Sequence, residues 1–389
     1  MSSLLQSPLD AVAGHVAAGF EPVRARFAAN FLRDDHCREV GAALTVFHGE
    51  RCVVDLWNGH ADAARARPWH KDTLLNVYST TKGIVATCIA MLVERGALDY
   101  DDTVASVWPE FAQQGKQRTT IAQVLSHQAG LPAFEDPTSL TDLYDWHARC
   151  AALAGQKPRW TAGEKTAYHP VTFGYLAGEI VRRASGRSVG EFLQQELAAP
   201  LGADFLIGLD PALERRVAQT LPPKNMIDPS ALPAIPETRL SVTNPLLHPQ
   251  AANTAAWRAA ELPALNGHAS ADAIARIYAM LANGGEFQHR RFLSPATIER
   301  LTRVRSERMD LTLGLPALWA AGVVLNGSTT FFGPNPLSYG HSGWGGSFGC
   351  ADPQRRLAIG YVCNQMGPDL VGDVRARELC AAIYECLSG

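Results

Sequence analysis

The 389-residue sequence has no long run of like charge, no internal repeat, no low-complexity tract and no bilayer-length apolar stretch. Thirty-five basic and thirty-eight acidic residues give a net charge of −3, so no basic stripe is available to follow a phosphate backbone. Nucleic acid is therefore not an expected partner. The longest strongly apolar run, Ile84 to Val93, covers about half a membrane span, which argues against a transmembrane helix. The first basic residue is Arg24, so no cationic segment precedes the early apolar residues and a secretory signal is not expected. None of the eight cysteines forms a CxxC pair, and they read as reduced, mostly buried packing residues of a cytoplasmic protein.

What the chain does have is core-forming material: 47% hydrophobic and 19% charged residues exclude a disordered or fibrous protein. The spacing of Val12, Val16, Phe20, Val23 and Phe27 predicts an amphipathic helix over residues 8–33. A hairpin follows, with strands at 41–48 and 52–58 around Gly49. The texture from about 76 to 300 is helical. Strands return at 321–325, 337–350 and 357–364, and a helix over 369–387 closes the sequence. Strands at both ends and helices between them predict an α+β fold with one antiparallel sheet. Residues 1–75 and 300–389 would form a discontinuous sheet domain, and 76–299 a mostly helical one. A cleft between two such parts is a favoured ligand site. The proline-rich stretch 221–265 reads as a surface excursion or part of a lid.

Chemistry concentrates around Ser79. It precedes an apolar helical run carrying Ile84, Val85, Cys88, Ile89 and Leu92, and Lys82 stands three residues on, a neighbour across one turn. Serine needs a base to become a nucleophile, and a buried lysine can be neutral enough to serve. A helix N-terminus also offers a backbone N–H to a developing oxyanion. Lysine is scarce here, and Lys82 is the only one with serine three residues earlier. The bland alternative is a capping serine beside a solvated lysine, and the tetrad alone does not exclude it. A second serine, Ser347, lies in Gly345-Gly346-Ser347-Phe348-Gly349, the G-x-S-x-G pattern of a nucleophile elbow. That arrangement places its histidine after the nucleophile, whereas the last histidine here is His341.

The segment Ser79-Thr80-Thr81-Lys82-Gly83 and its apolar helix resemble the serine β-lactamase and penicillin-binding-protein family. The closest likeness is to the class C β-lactamase-like carboxylesterases called family VIII esterases. Further matching stretches are 98–111, 120–132, 168–186, 200–209, 266–285 and 339–364. The resemblance implies that Tyr168, opening Tyr168-His169-Pro170, shares a proton with Lys82 and returns it to the leaving group. It also implies that Trp344-Gly345-Gly346 occupies the third motif, on a strand beside the nucleophile. Trp344 would then wall the substrate pocket, and Ser347 would give the second oxyanion N–H. A shifted register placing His341-Ser342-Gly343 there stays open. Pro170 and Trp344 replace the lactamase asparagine and lysine, which disfavours β-lactams and leaves neutral esters acceptable.

The implied activity is hydrolysis of small carboxylic esters through an acyl-enzyme on Ser79, with no metal or organic cofactor. Amide or lactam hydrolysis and acyl transfer are rival activities of the same site. A binding protein that keeps the fold without turnover is the rival from another class. The oligomeric state stays open.

Overall fold

A computed structural model describes residues 12–226, 228, 235–327 and 329–387. Among them, one nine-stranded antiparallel sheet organises the molecule. Its strands are β1 (Ala13–Val16), β2 (Gly41–His48), β3 (Arg51–Gly59), β4 (Ser306–Asp310), β5 (Leu315–Trp319), β6 (Val324–Leu325), β7 (Tyr339–Ser342), β8 (Phe348–Asp352) and β9 (Leu357–Cys363). The order across the sheet is β1-β3-β2-β9-β8-β7-β6-β5-β4. The last strand thus pairs with the N-terminal hairpin, Tyr361 opposite Leu44 and Ile359 opposite Val46.

Alternation along the strands sets the two faces. Leu44, Val46, Val54, Leu56, Ile359 and Tyr361 pack on one side against α1 (Glu21–Asn30) and the closing helix. Ala43, Phe47, Ala358 and Val362 face the other side, among residues of α2 (Thr80–Glu94), α3 (Thr172–Ser185) and α4 (Ala271–Ala282). The closing helix, α5, spans Val374–Cys386. α2 is mostly apolar and is buried at every position from Thr80 to Val93, its few polar residues included, as expected for a helix enclosed on all sides.

Three expectations need correction. The helix expected over 8–33 is confined to Glu21–Asn30: Ala13–Val16 instead pairs with β3, and residues 8–11 lie outside the described residues. Gly14 and Gly19, both at positive φ, interrupt the helical reading that the apolar spacing suggested. The strand expected over 337–350 is two strands, because glycines at 343, 345 and 346 turn the chain between Ser342 and Phe348. At 321–325 only Val324 and Leu325 are paired as strand. No helix among the described residues is long and apolar enough to cross a membrane.

Candidate active site

α2 begins one residue after Ser79, and the approach to it is strained: Tyr78 has φ +44°, a left-handed conformation rare for an aromatic residue. Ser79 takes the N-cap position but makes no side-chain cap bond. Its Oγ lies 2.9 Å from Lys82 Nζ and 2.6 Å from Tyr168 Oη. Serine, lysine and tyrosine therefore meet at one oxygen.

Lys82 is fully buried, and no carboxylate pairs with it among the described residues. Its other partners are the carbonyl oxygens of Pro170, at 2.9 Å, and Ala264, at 3.0 Å. Burial holds its pKa well below the ordinary lysine value. A neutral amine has two N–H bonds and one lone pair. The two carbonyls can only accept, so they take the two N–H bonds and leave the lone pair for the Ser79 hydroxyl proton.

Tyr168 differs in kind. Burial raises its phenol above the ordinary value of 10, the bond to Ser79 opposes this, and the nearby Asp310 carboxylate adds to the rise. The phenol therefore keeps its proton and donates it to Ser79 Oγ. Three buried histidines surround the pair without adding charge. Burial lowers His169 to about 4 and His341 to about 3, and holds His127 well below its usual value. The His127 ring meets the Tyr168 ring edge-on, with centroids 4.9 Å apart.

The third motif lies in the turn of the β7–β8 hairpin. Gly346 N–H donates to Gly343 O, with Trp344 and Gly345 at the corner. The Trp344 ring meets Tyr78 edge-on at 5.4 Å, and the Gly345 carbonyl accepts from the buried Arg375 guanidinium at 2.9 Å. Ser347 Oγ donates to Val77 O at 3.0 Å and lies 3.2 Å from Thr80 Oγ1, which ties the hairpin to the turn before α2. His341, Ser342 and Gly343 run closest to the head of α2. A β-carbon on Gly343 would fall 2.2 Å from Val77 O. Trp344, Gly345 and Gly346 thus sit beyond the strand that the sequence expectation put them on, because the intervening glycines close the hairpin early.

Two adjoining cavities share Ser79 and Tyr168 in their walls. The larger, about 360 Å³, is walled by Met226, Val242, Leu246, Leu313, Trp344 and Leu370 among others; the smaller, about 60 Å³, by Trp319, Ser342, Gly343 and Phe348 among others. Among the described residues lining the larger one there is no lysine, arginine or histidine. Part of the 221–265 stretch therefore forms a wall of this cavity.

Sequence reasoning passed over Asp310 and Trp319. The Trp319 ring lies parallel to that of Tyr168, with centroids 5.7 Å apart and 5° between planes. No local signal marks Asp310, which follows Glu307 and Arg308 in a mixed polar segment.

The Beta-lactamase family profile matches residues 25–382. The chain is 36% identical over 342 residues to Esterase/beta-lactamase LipL of Mycobacterium tuberculosis (strain ATCC 25618 / H37Rv), covering 85% of this chain and 78% of the relative. Among solved structures, a family VIII carboxylesterase superposes with a TM-score of 0.90 at 43% identity, covering 96% of this chain and 99% of the other. A penicillin-binding protein homologue from Caulobacter crescentus gives a TM-score of 0.89 at 41% identity, with the same two coverages.

Proposed function

The chain belongs to the Beta-lactamase family, and from that premise we propose a serine carboxylesterase that hydrolyses small, uncharged carboxylic esters through an acyl-enzyme on Ser79. The observation that carries this reading is the fully buried Lys82 amine, its pKa held well below the ordinary lysine value, bonded to Ser79 Oγ, which is itself bonded to the Tyr168 phenol.

Ser79 Oγ attacks the ester carbonyl as its proton passes to the Lys82 lone pair. The oxyanion sits between the Ser79 amide and an amide of the 343–347 turn. Ser347 and Trp344 are the two candidates for that turn amide, and the position of Trp344 on the cavity wall favours it. Tyr168 protonates the departing alkoxide and recovers a proton from the Lys82 ammonium, so the amine is neutral again when water attacks the acyl-enzyme. Gly345 and Gly346 shape the turn that carries the amide. No step needs a metal or an organic cofactor.

The apolar lining of the larger cavity, with Asp369 as its one charged residue among those described, supports neutral substrates over carboxylate-bearing ones. Eight unpaired cysteines, six of them buried, fit a reducing compartment, and we assign the enzyme to the cytoplasm.

Parallel assays with p-nitrophenyl butyrate, a chromogenic cephalosporin and a linear amide test the reading, with fluorophosphonate labelling followed by peptide mapping. Ester turnover well above the other two and an adduct on Ser79 are expected. Dominant cephalosporin turnover would reassign the chain to lactam hydrolysis. No adduct and no turnover would leave a binding protein.

A further inference from the structure

We propose that Asp310 is a positioning residue for Tyr168, holding both the root of that side chain and the aromatic plate on which its ring lies. The proposal rests on the reading of Tyr168 as the acid that protonates the leaving group.

Asp310 ends β4 and is fully buried. Its Oδ1 accepts from the main-chain N–H groups of Tyr168 at 2.9 Å, Thr312 at 2.9 Å and Leu313 at 3.0 Å. Its Oδ2 accepts from Trp319 Nε1 at 3.0 Å. No lysine, arginine or histidine pairs with it among the described residues. A buried carboxylate without a cation is costly: burial raises the pKa of Asp310 above the ordinary carboxylate value, and the four converging N–H donors pull it back down. An apolar residue would fill this space at less expense if packing were the whole requirement.

What the carboxylate joins is specific. Tyr168 stands ahead of α3, outside the helical hydrogen-bond ladder, so helix formation does not fix its backbone. One carboxylate oxygen fixes that backbone. The other holds the Trp319 indole parallel to the phenol ring. A hinge at residue 168 or a tilt of the indole would move Oη off Ser79 Oγ, which lies only 2.6 Å away. The same Oδ1 also anchors residues 312 and 313, where the cavity wall begins.

The chemistry supplies a selective readout. An alkyl ester needs its alkoxide protonated as the C–O bond breaks, whereas p-nitrophenolate departs without that proton. Misplacing the phenol should therefore harm ethyl butyrate far more than p-nitrophenyl butyrate. The experiment compares kcat/KM on the two esters for wild type, Tyr168→Phe, Asp310→Asn, Trp319→Phe and Trp319→Leu. For Asp310→Asn the loss on ethyl butyrate should exceed the loss on p-nitrophenyl butyrate by about ten-fold or more. Trp319→Leu, which removes the plate, should show the same bias, and Trp319→Phe, which keeps a ring, a smaller one. The Trp319 pair carries the test if Asp310→Asn does not fold. Equal losses on both esters in Asp310→Asn and Trp319→Leu, with Tyr168→Phe still selective, would overturn the proposal alone. A Tyr168→Phe enzyme without selectivity would overturn the acid assignment and the proposal together.

Discussion

The Tyr278 hydroxyl fills the space that a side chain on Gly83 would need: a β-carbon there would fall 2.3 Å from Tyr278 Oη. Gly83 directly follows Lys82 on α2, and Tyr278 reaches it from α4. Gly83→Ala should therefore push α2 away from its neighbours, cutting ester turnover and destabilising the fold by about 1–3 kcal/mol. Adding Tyr278→Phe removes the obstructing atom and should return part of both losses. A double-mutant cycle on kcat/KM and on denaturant midpoint reads the coupling, and strict additivity would refute it.

The pH dependence of turnover follows from opposite displacements of the two groups bonded to Ser79. In the proposed mechanism Lys82 must be neutral to accept a proton, so activity is lost as pH falls through its lowered folded-state value. Tyr168 must keep its proton, which burial holds to above pH 10. The kcat/KM profile for a neutral ester should rise on the acid side, with a midpoint well below the ordinary lysine value of 10.5, to a plateau that persists to pH 10. A rise beginning only above pH 9 would mean that the amine is charged at neutrality. Lys82→Arg, a permanent cation, should lower kcat/KM by about a thousand-fold or more.

Ser79→Ala and Ser347→Ala should separate cleanly in an ester assay. The first removes the proposed nucleophile and should abolish turnover. The second removes a hydroxyl bonded to Val77 O and near Thr80 Oγ1, costing about 1 kcal/mol of stability while most activity remains. The reverse outcome would move the nucleophile to the hairpin.

Acid should unfold this protein steeply, because His127, His169, His268 and His341 are all held neutral by burial. Their folded-state values lie below the unfolded value of about 6.5, so the unfolded chain binds protons that the native one does not. Their full contribution is present above pH 6.5. As pH falls toward 4, each costs about 1.4 kcal/mol per unit. Glu39, raised by burial to about 7, works in the opposite direction between pH 7 and 4.5 and offsets one of them. Melting temperature measured from pH 7 to 4.5 should fall, and His268→Gln should make the fall shallower.

The parts of the molecule written in local pattern could be read in advance. The hairpin expected at 41–48 and 52–58 from two β-rich runs around Gly49 stands at 41–48 and 51–59, and α2 followed from its apolar run after Ser79. Ser79 and Lys82 were legible because one helical turn joins them. Tyr168 reached the same oxygen from 89 residues away, and only the family resemblance pointed to it. Asp310 and Trp319 were not legible. Their importance lies in which atoms meet across the fold, and no local spacing encodes that. The turn at 343–347 misled for a related reason: strand-like composition on both sides masked three glycines that reverse the chain.

The enclosure of α2 implies a division between what can drift and what cannot. Every residue from Thr80 to Val93 is hemmed in by core, so a volume change there propagates into the reactive hydroxyl. Met226 and Leu246 are solvent-exposed, Leu313, Leu370 and Val371 are half-buried, and these five come from three separate stretches of chain. Mutational libraries confined to them could retune which ester is admitted while the scaffold beneath stays intact.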